Sequence, residues 1–199
     1  MILSRSFLTR ESERRAISEY GYSRTRIINE NAQQAIRFDS MGTKVKGSDV
    51  FLSHSSLDKK LVLTIVNLFN EAVYSVYVDW LEDPELDRNN VTSNTANILR
   101  TRMNSSRGLS YVATSNISNS KWCPWELGYF DGKKNSRCWI LPIVESGSFS
   151  GQEYLGFYPY LQYSTNMSTN KYDFWVYEQG SNKYIVLNEW LRGTNPMYH

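Results

Sequence analysis

The sequence predicts an α/β protein: a central parallel sheet flanked by helices, with a helical arm before it and an extension after it. Three observations predict this. Between residues 49 and 144, short apolar runs of strand length alternate with stretches whose apolar residues recur at helical spacing. Parallel neighbours need a crossover connection, so strands separated by helices argue for a parallel sheet. The composition, 41% apolar and 21% charged in 199 residues, is ordinary globular usage with room for one good core and an appendage.

In chain order, residues 9–20 read as a short charged helix with Thr9 as its N-cap. Gly21 interrupts, and residues 23–38 form a second helix with Ile27, Ile28, Ala32, Ala35 and Ile36 near one face. Residues 39–47 (DSMGTKVKG) have the composition of a linker. Residues 49–53 (DVFLS) suit a buried strand. Residues 57–72 place Leu61, Ile65, Leu68 and Phe69 at helical spacing. Residues 74–79 (YSVYVD) are rich in β-branched and aromatic side chains and read as a strand. Residues 80–91, polar and containing Pro84, read as a long loop. A helix over 93–104 turns Ala96, Leu99 and Met103 inward, followed by a strand over 108–113, a helix over 121–132 and a fourth strand over 138–144 (CWILPIV). After Glu145 the alternation stops. Residues 172–177 and 183–187 suggest a hairpin around 179–182, and residues 189–192 a helical turn. This tail, rich in Tyr and Trp, is expected to pack on the domain as an extra layer. The expected divisions are an arm and linker over 1–47, the domain over 48–145 and the extension over 146–199.

Net charge is +2, so no overall field argues for nucleic acid or an acidic membrane. The first 46 residues nevertheless hold nine Lys/Arg against five Asp/Glu, a basic head that reads as a solvated helical arm or as a contact for an acidic partner. Two cysteines, Cys123 and Cys138, are too few for a disulfide framework. The histidines are His54 and His199, and no acidic cluster has metal-ligand spacing, so no metal is expected. No apolar run reaches membrane-spanning length, and charges follow the short apolar start at once, unlike a signal peptide. The default location is the cytoplasm.

In an open parallel sheet, ligands bind outside the carboxyl ends of the strands. That rule selects residues 53–58, 79–92 and 114–126. Ser53, His54 and Ser55 offer hydroxyls, an imidazole and amides at a helix start, which suits phosphate. Helix capping explains the serines equally well. In SNSKWCPWELGYF, Trp122 and Glu126 are four apart and share a helical face. An indole can stack on a planar base while a carboxylate steadies a ribosyl cation, which is what N-glycosidic cleavage requires. The same spacing fits Trp122 and Trp125 as core anchors with Glu126 as a surface or capping charge.

Taken in order, DVFLSHSSLDKKLV, VYVDWLEDPELDRNNVT and SNSKWCPWELGYFDG resemble the TIR (Toll/interleukin-1 receptor) domain family in its bacterial form. The resemblance covers about half the chain, residues 49–144, with three motifs in the family's order. It implies a flavodoxin-like sheet with helices on both faces. It makes the 80–92 loop the family's BB loop and Trp122-Cys123-Pro124-Trp125-Glu126 its W-C-x-x-E pattern. Glu126 is then the catalytic residue of NAD cleavage, and Trp122 lines the nicotinamide-ribose pocket. By the same resemblance, Ser53, His54 and Ser55 lie near the ribose or diphosphate, and Asp79 and Trp80 close the site or support the loop. His54 remains open to a structural hydrogen-bonding role, Asp79 to a loop-fixing one, and Cys123 reads as a packing residue.

The resemblance implies an NAD glycohydrolase or ADP-ribosyl cyclase with NAD as substrate and no cofactor, in a setting such as Thoeris-like antiphage defence. Its product is ADP-ribose or a cyclic or transferred ADP-ribose signal read by a separate effector. It also implies self-association through the 80–92 loop. A non-enzymatic assembly module and a host-mimicking virulence factor are the alternatives.

Overall fold

The structure is a computed structural model, and it describes residues 1–17, 36–38, 44–83, 92–133, 137–145 and 153–198. Its strands are β1 (Leu3–Ser4), β2 (Ile36–Phe38), β3 (Lys44–Lys46), β4 (Ser48–Ser53), β5 (Val76–Tyr77), β6 (Ser106–Ala113), β7 (Cys138–Val144), β8 (Tyr160–Asn166), β9 (Lys171–Tyr177) and β10 (Tyr184–Val186). Its helices are α1 (Arg5–Ile17), α2 (Lys59–Glu71), α3 (Asp79–Glu82), α4 (Ser93–Ser105), α5 (Trp122–Lys133) and α6 (Leu187–Leu191).

The sheet runs β10-β9-β8-β7-β6-β4-β5. From β5 to β8 all neighbours are parallel, and β8, β9 and β10 pair antiparallel. The parallel part has the 2-1-3-4-5 strand order of a flavodoxin-like fold, whose direction reverses between β4 and β6. Alternation along each strand sends residues to two separate cores. Val50, Leu52, Val112, Trp139 and Leu141 pack with Leu8 of α1 and with α2. Phe51, Leu109, Tyr111, Ala113 and Ile140 pack with α4 and α5 through Leu99, Met103, Leu127 and Phe130. Gly108 is required in β6, because a Cβ there would collide with the ring of Trp139 and with Leu191. Among the described residues no helix is long and apolar enough to cross a membrane.

Several expectations change. The first helix begins at Arg5, not Thr9. Ser4 caps it by accepting from the Phe7 amide at 3.1 Å, while the Thr9 hydroxyl donates to the Arg5 carbonyl inside the helix. Of the expected second helix, residues 23–35 lie outside the described residues, and 36–38 are a strand paired antiparallel with 44–46, inside the expected linker. The strand over 74–79 contracts to Val76–Tyr77, and residues 79–82, the end of the expected strand and the start of the expected loop, form a helical turn; residues 84–91 lie outside the described residues.

The tail is not an extra layer. It adds three strands to the sheet edge, including β8, which no sequence pattern announced, and the expected hairpin is β9–β10. β7 and β8 share one register pair, Ile140 with Tyr160. The first residues occupy the gap that opens beyond it. Leu3 and Ser4 pair with Ile143 and Val144, and Met1 exchanges backbone hydrogen bonds with Tyr163, each at 3.0 Å.

Candidate functional site

β4 and β6 diverge to opposite sides after their last residues, and the crevice at their carboxyl ends is where a fold of this order binds ligands. Ser53 ends β4, and Ala113 ends β6. A turn at Ile117–Asn119 then leads to Ser120, whose hydroxyl accepts from the Cys123 amide at 3.2 Å and so caps α5. The second turn of α5 carries Glu126 to the end of β4.

There the Ser53 hydroxyl donates to Oε2 of Glu126 at 2.6 Å, and both residues are fully buried. A buried carboxylate is costly unless hydrogen-bonded, so this contact is a constraint rather than an incidental touch. Glu126 is thus not a surface charge.

His54 is 1% exposed. Its Nε2 accepts from the Trp80 indole N–H at 3.0 Å, which leaves Nδ1 to carry the proton and donate to the Leu52 carbonyl at 2.8 Å. The ring is therefore held as one neutral tautomer. Asp79, also buried, brings Oδ1 to 3.7 Å from the same Nε2. His54, Asp79 and Trp80 form one cluster, with Lys59 5.4 Å from the Trp80 ring centre. Ser55 has the capping role: its oxygen accepts from the Leu57 amide at 3.4 Å.

Trp122 is buried in the α4–α5 core, edge-on to Trp125 at 5.4 Å. That is the position of a core anchor one helical turn from Glu126. Trp125 lies half-buried, stacked on Tyr129 with Arg100 above both rings. Cys123 and Cys138 are buried and unbridged, and burial pushes the Cys138 thiol up. Among the described residues no three His, Cys, Asp or Glu come together as a metal site.

Both ends of the 80–92 loop are pinned. At the first, the Asp83 carboxylate accepts from the Tyr77 hydroxyl at 2.7 Å and from Arg102 at 2.9 and 2.7 Å. Burial pushes the Asp83 carboxyl up, but Arg102 and Tyr77 together outweigh it and hold it below its ordinary range. Burial and the Asp83 contact push the Tyr77 phenol far up, so it stays a donor. At the second, Thr92 accepts from the Thr95 amide at 3.1 Å and caps α4.

Sequence reasoning passed over a further buried carboxylate. Asp58, 3% exposed, accepts from the Thr114 hydroxyl at 2.6 Å and from the Asn116 amide group at 2.8 Å. Arg5 reaches the same carboxylate at 3.6 Å and Glu145 at 2.6 Å. The only local signal was an Asp before a helix, which reads as a cap. A cavity of about 170 Å³ lies elsewhere, between α1 and α2, lined by Arg5, Leu8, Lys60 and Thr64 among others. It is below the usual size for a nucleotide-sized ligand, roughly 300–1,000 Å³, and neither Glu126 nor Trp122 lines it.

No family model matches the chain. It is 43% identical over 152 residues to "Probable 3' cyclic ADP-D-ribose synthase ThsB'" of Bacillus cereus (strain MSX-D12), a match covering 75% of this chain and 78% of that protein. It is also 37% identical over 82 residues to "Putative cyclic ADP-D-ribose synthase TIR2" of Cytobacillus dafuensis; this match covers 41% of the chain and 22% of that protein.

Proposed function

The chain belongs to the TIR proteins of the Thoeris type, and on that premise we propose how its own residues perform the chemistry. It is an enzyme that cleaves the nicotinamide–ribose bond of NAD and forms a cyclic ADP-ribose in bacterial antiphage defence. The observation that carries the site assignment is the 2.6 Å bond between Ser53 and Glu126, both buried at the point where the strand order reverses.

Glu126 is the catalytic group. As the C–N bond breaks, its electron pair leaves with the nicotinamide nitrogen, and positive charge develops on the ribosyl carbon and ring oxygen. A carboxylate held in a site that excludes water stabilises that charge more strongly than one in solvent. Ser53 fixes the carboxylate's direction. His54, held neutral by Leu52 and Trp80, presents no competing positive charge beside the ribosyl cation. Ser53, His54 and Ser55 approach the ribose or diphosphate, Asp79 and Trp80 support the rim, and Trp122 backs the nicotinamide-ribose pocket.

What captures the cation decides the product. Water gives ADP-ribose and one proton. An internal hydroxyl of the same ADP-ribose forms a new C–O bond, loses its proton and gives a ring. The burial of Ser53, His54 and Glu126 supports cyclisation, because water is held away from the carbon. The 3′-cyclic product in the relative's name is the form proposed for this chain. A separate effector receives it, and self-association through the 80–92 loop accompanies activity.

The test is NAD turnover by the wild-type chain and Glu126→Gln side by side, across a concentration series, with chromatography and mass measurement of the products. Wild type releases nicotinamide with a product one water lighter than ADP-ribose, while an equally folded Glu126→Gln releases none. Undiminished release by the variant rules out the assigned role.

A further inference from the structure

We propose that Asp58 is a positioning residue of this site: it ties the loop that follows Ser53 to the loop that leads into the helix of Glu126, and Arg5 of α1 steadies the tie from outside. The geometry of the tie stands by itself; its consequence for turnover rests on the cleavage reading above.

Asp58 occupies the N-cap position of α2, where an aspartate ordinarily accepts from the first helical amides. Its side chain makes no such bond. Both carboxylate oxygens cross the crevice instead, Oδ2 to Thr114 at 2.6 Å and Oδ1 to Asn116 at 2.8 Å. A capping aspartate works at the surface, whereas this one is 3% exposed. Burying a carboxylate costs several kcal/mol unless its oxygens are matched. A buried charge here is therefore explained by the inter-loop tie and not by the helix.

The tie is stiff on each side. The Thr114 oxygen accepts from the Asn116 amide at 3.2 Å, and the Thr114 carbonyl accepts from Ile117 at 3.2 Å, which starts the turn leading to the Ser120 cap of α5. On the other side, the Asp58 amide donates to the Ser55 carbonyl at 3.0 Å, two residues beyond Ser53. The Ser53–Glu126 bond thus joins a strand end and a helix whose adjoining loops are held together by Asp58. Arg5 extends the tie to a third strand end, since it reaches Glu145, just beyond β7, as well as Asp58. This gives the first helix a part in the site.

The test uses the full chain with Asp58→Asn, the isosteric Thr114→Val, which lacks only the hydroxyl's bonding, and Thr114→Ser, which keeps it. Amide hydrogen exchange is followed in residues 53–58 and 114–122, together with circular dichroism, KM and kcat for nicotinamide release. Asp58→Asn and Thr114→Val are expected to speed exchange in both segments and to lower kcat about tenfold to a hundredfold, the scale of an ångström misplacement. KM stays within about threefold on the same reasoning, the chain stays folded, and Thr114→Ser behaves as wild type. Unchanged exchange in both segments overturns the proposal. So does wild-type kcat in Thr114→Val, or a Thr114→Ser variant as impaired as Thr114→Val. If wild type releases no nicotinamide, the cleavage reading fails, and the exchange measurements alone decide the tie. Should Asp58→Asn not fold, the two Thr114 variants decide it.

Discussion

Replacing Ser53 by Ala removes one oxygen from a contact with no solvent to take its place. The hydroxyl lies 2.6 Å from Glu126 Oε2, and both residues are inaccessible to water. Hydrogen bonds to charged groups contribute about 1.5–3 kcal/mol, and leaving a buried partner short of a donor draws on that full range. Where the cost falls is informative. If the bond serves folding alone, it appears as a lower melting temperature, about 2–4 °C per kcal/mol for a chain of this size. If it aims Glu126 at the developing cation, it appears in kcat as about a tenfold to 150-fold loss. The assay is the initial rate of nicotinamide release at saturating NAD, paired with thermal unfolding of the same samples. Positioning predicts the loss mainly in kcat, with KM nearly constant. Ser53→Ala with both kcat and melting temperature equal to wild type would refute the reasoning, because a buried carboxylate cannot lose such a donor at no cost.

Two further outcomes concern the scaffold. Val73 follows α2 with φ of 66°, in a closing turn where Tyr74 bonds back to the Phe69 carbonyl. The left-handed conformation costs a residue with a Cβ about 1–2 kcal/mol, so Val73→Gly, at a site 77% exposed, should raise stability by up to about 1 kcal/mol after the entropic cost of glycine; a lower melting temperature would contradict this. Asp83→Asn keeps an acceptor for Tyr77 but loses the charge facing Arg102, and should cost about 1 kcal/mol in denaturant melts at pH 7. Because the folded Asp83 carboxyl titrates below its ordinary value of 3.8, its contribution is fully present above that pH and disappears as pH falls through the lowered value. The gap between wild type and variant should therefore close in acid, and a gap unchanged down to pH ~3 would show that Asp83 is not its source.

On the mechanism proposed above, dryness connects the fold to the choice of product. Glu126 is buried because α5 lies against the sheet beside β4, with Trp122, Cys123 and Leu127 packed around it in the same core. A carboxylate on an open surface would stabilise the same cation but leave water as the nearest nucleophile. The two tryptophans of WCPWE divide the work: Trp122 is a wall of the core, and Trp125 joins the Arg100 and Tyr129 stack at its edge.

Local pattern was enough for most of the described elements between residues 48 and 144, the short β5 and the helical turn after it excepted. Apolar runs such as CWILPIV and the spacing of Leu61, Ile65, Leu68 and Phe69 report burial on one or both sides, and burial has a period that neighbours in the chain reveal. The i, i+4 pair of Trp122 and Glu126 is likewise local, but its spacing fitted core anchors too, and the family resemblance singled out the carboxylate. The placement of partners has no such period. β8, with Leu161 and Tyr163 among polar neighbours, is a strand because β9 pairs with it along its length. β1 is a strand because β7 and β8 separate and leave backbone groups to satisfy. The aspartate before α2 reads as a cap until Thr114 and Asn116, 56 and 58 residues away, are seen beneath it. Ser53 and Glu126 were each singled out in separate motifs, but only closure of the sheet across 73 residues sets one oxygen against the other. A sequence specifies its own periodicity and so determined most strands and helices of residues 49–144, while its motif text, through the family resemblance, marked the candidate carboxylate; which buried groups must share hydrogen bonds depends on non-local burial, and that was decided by the tertiary structure.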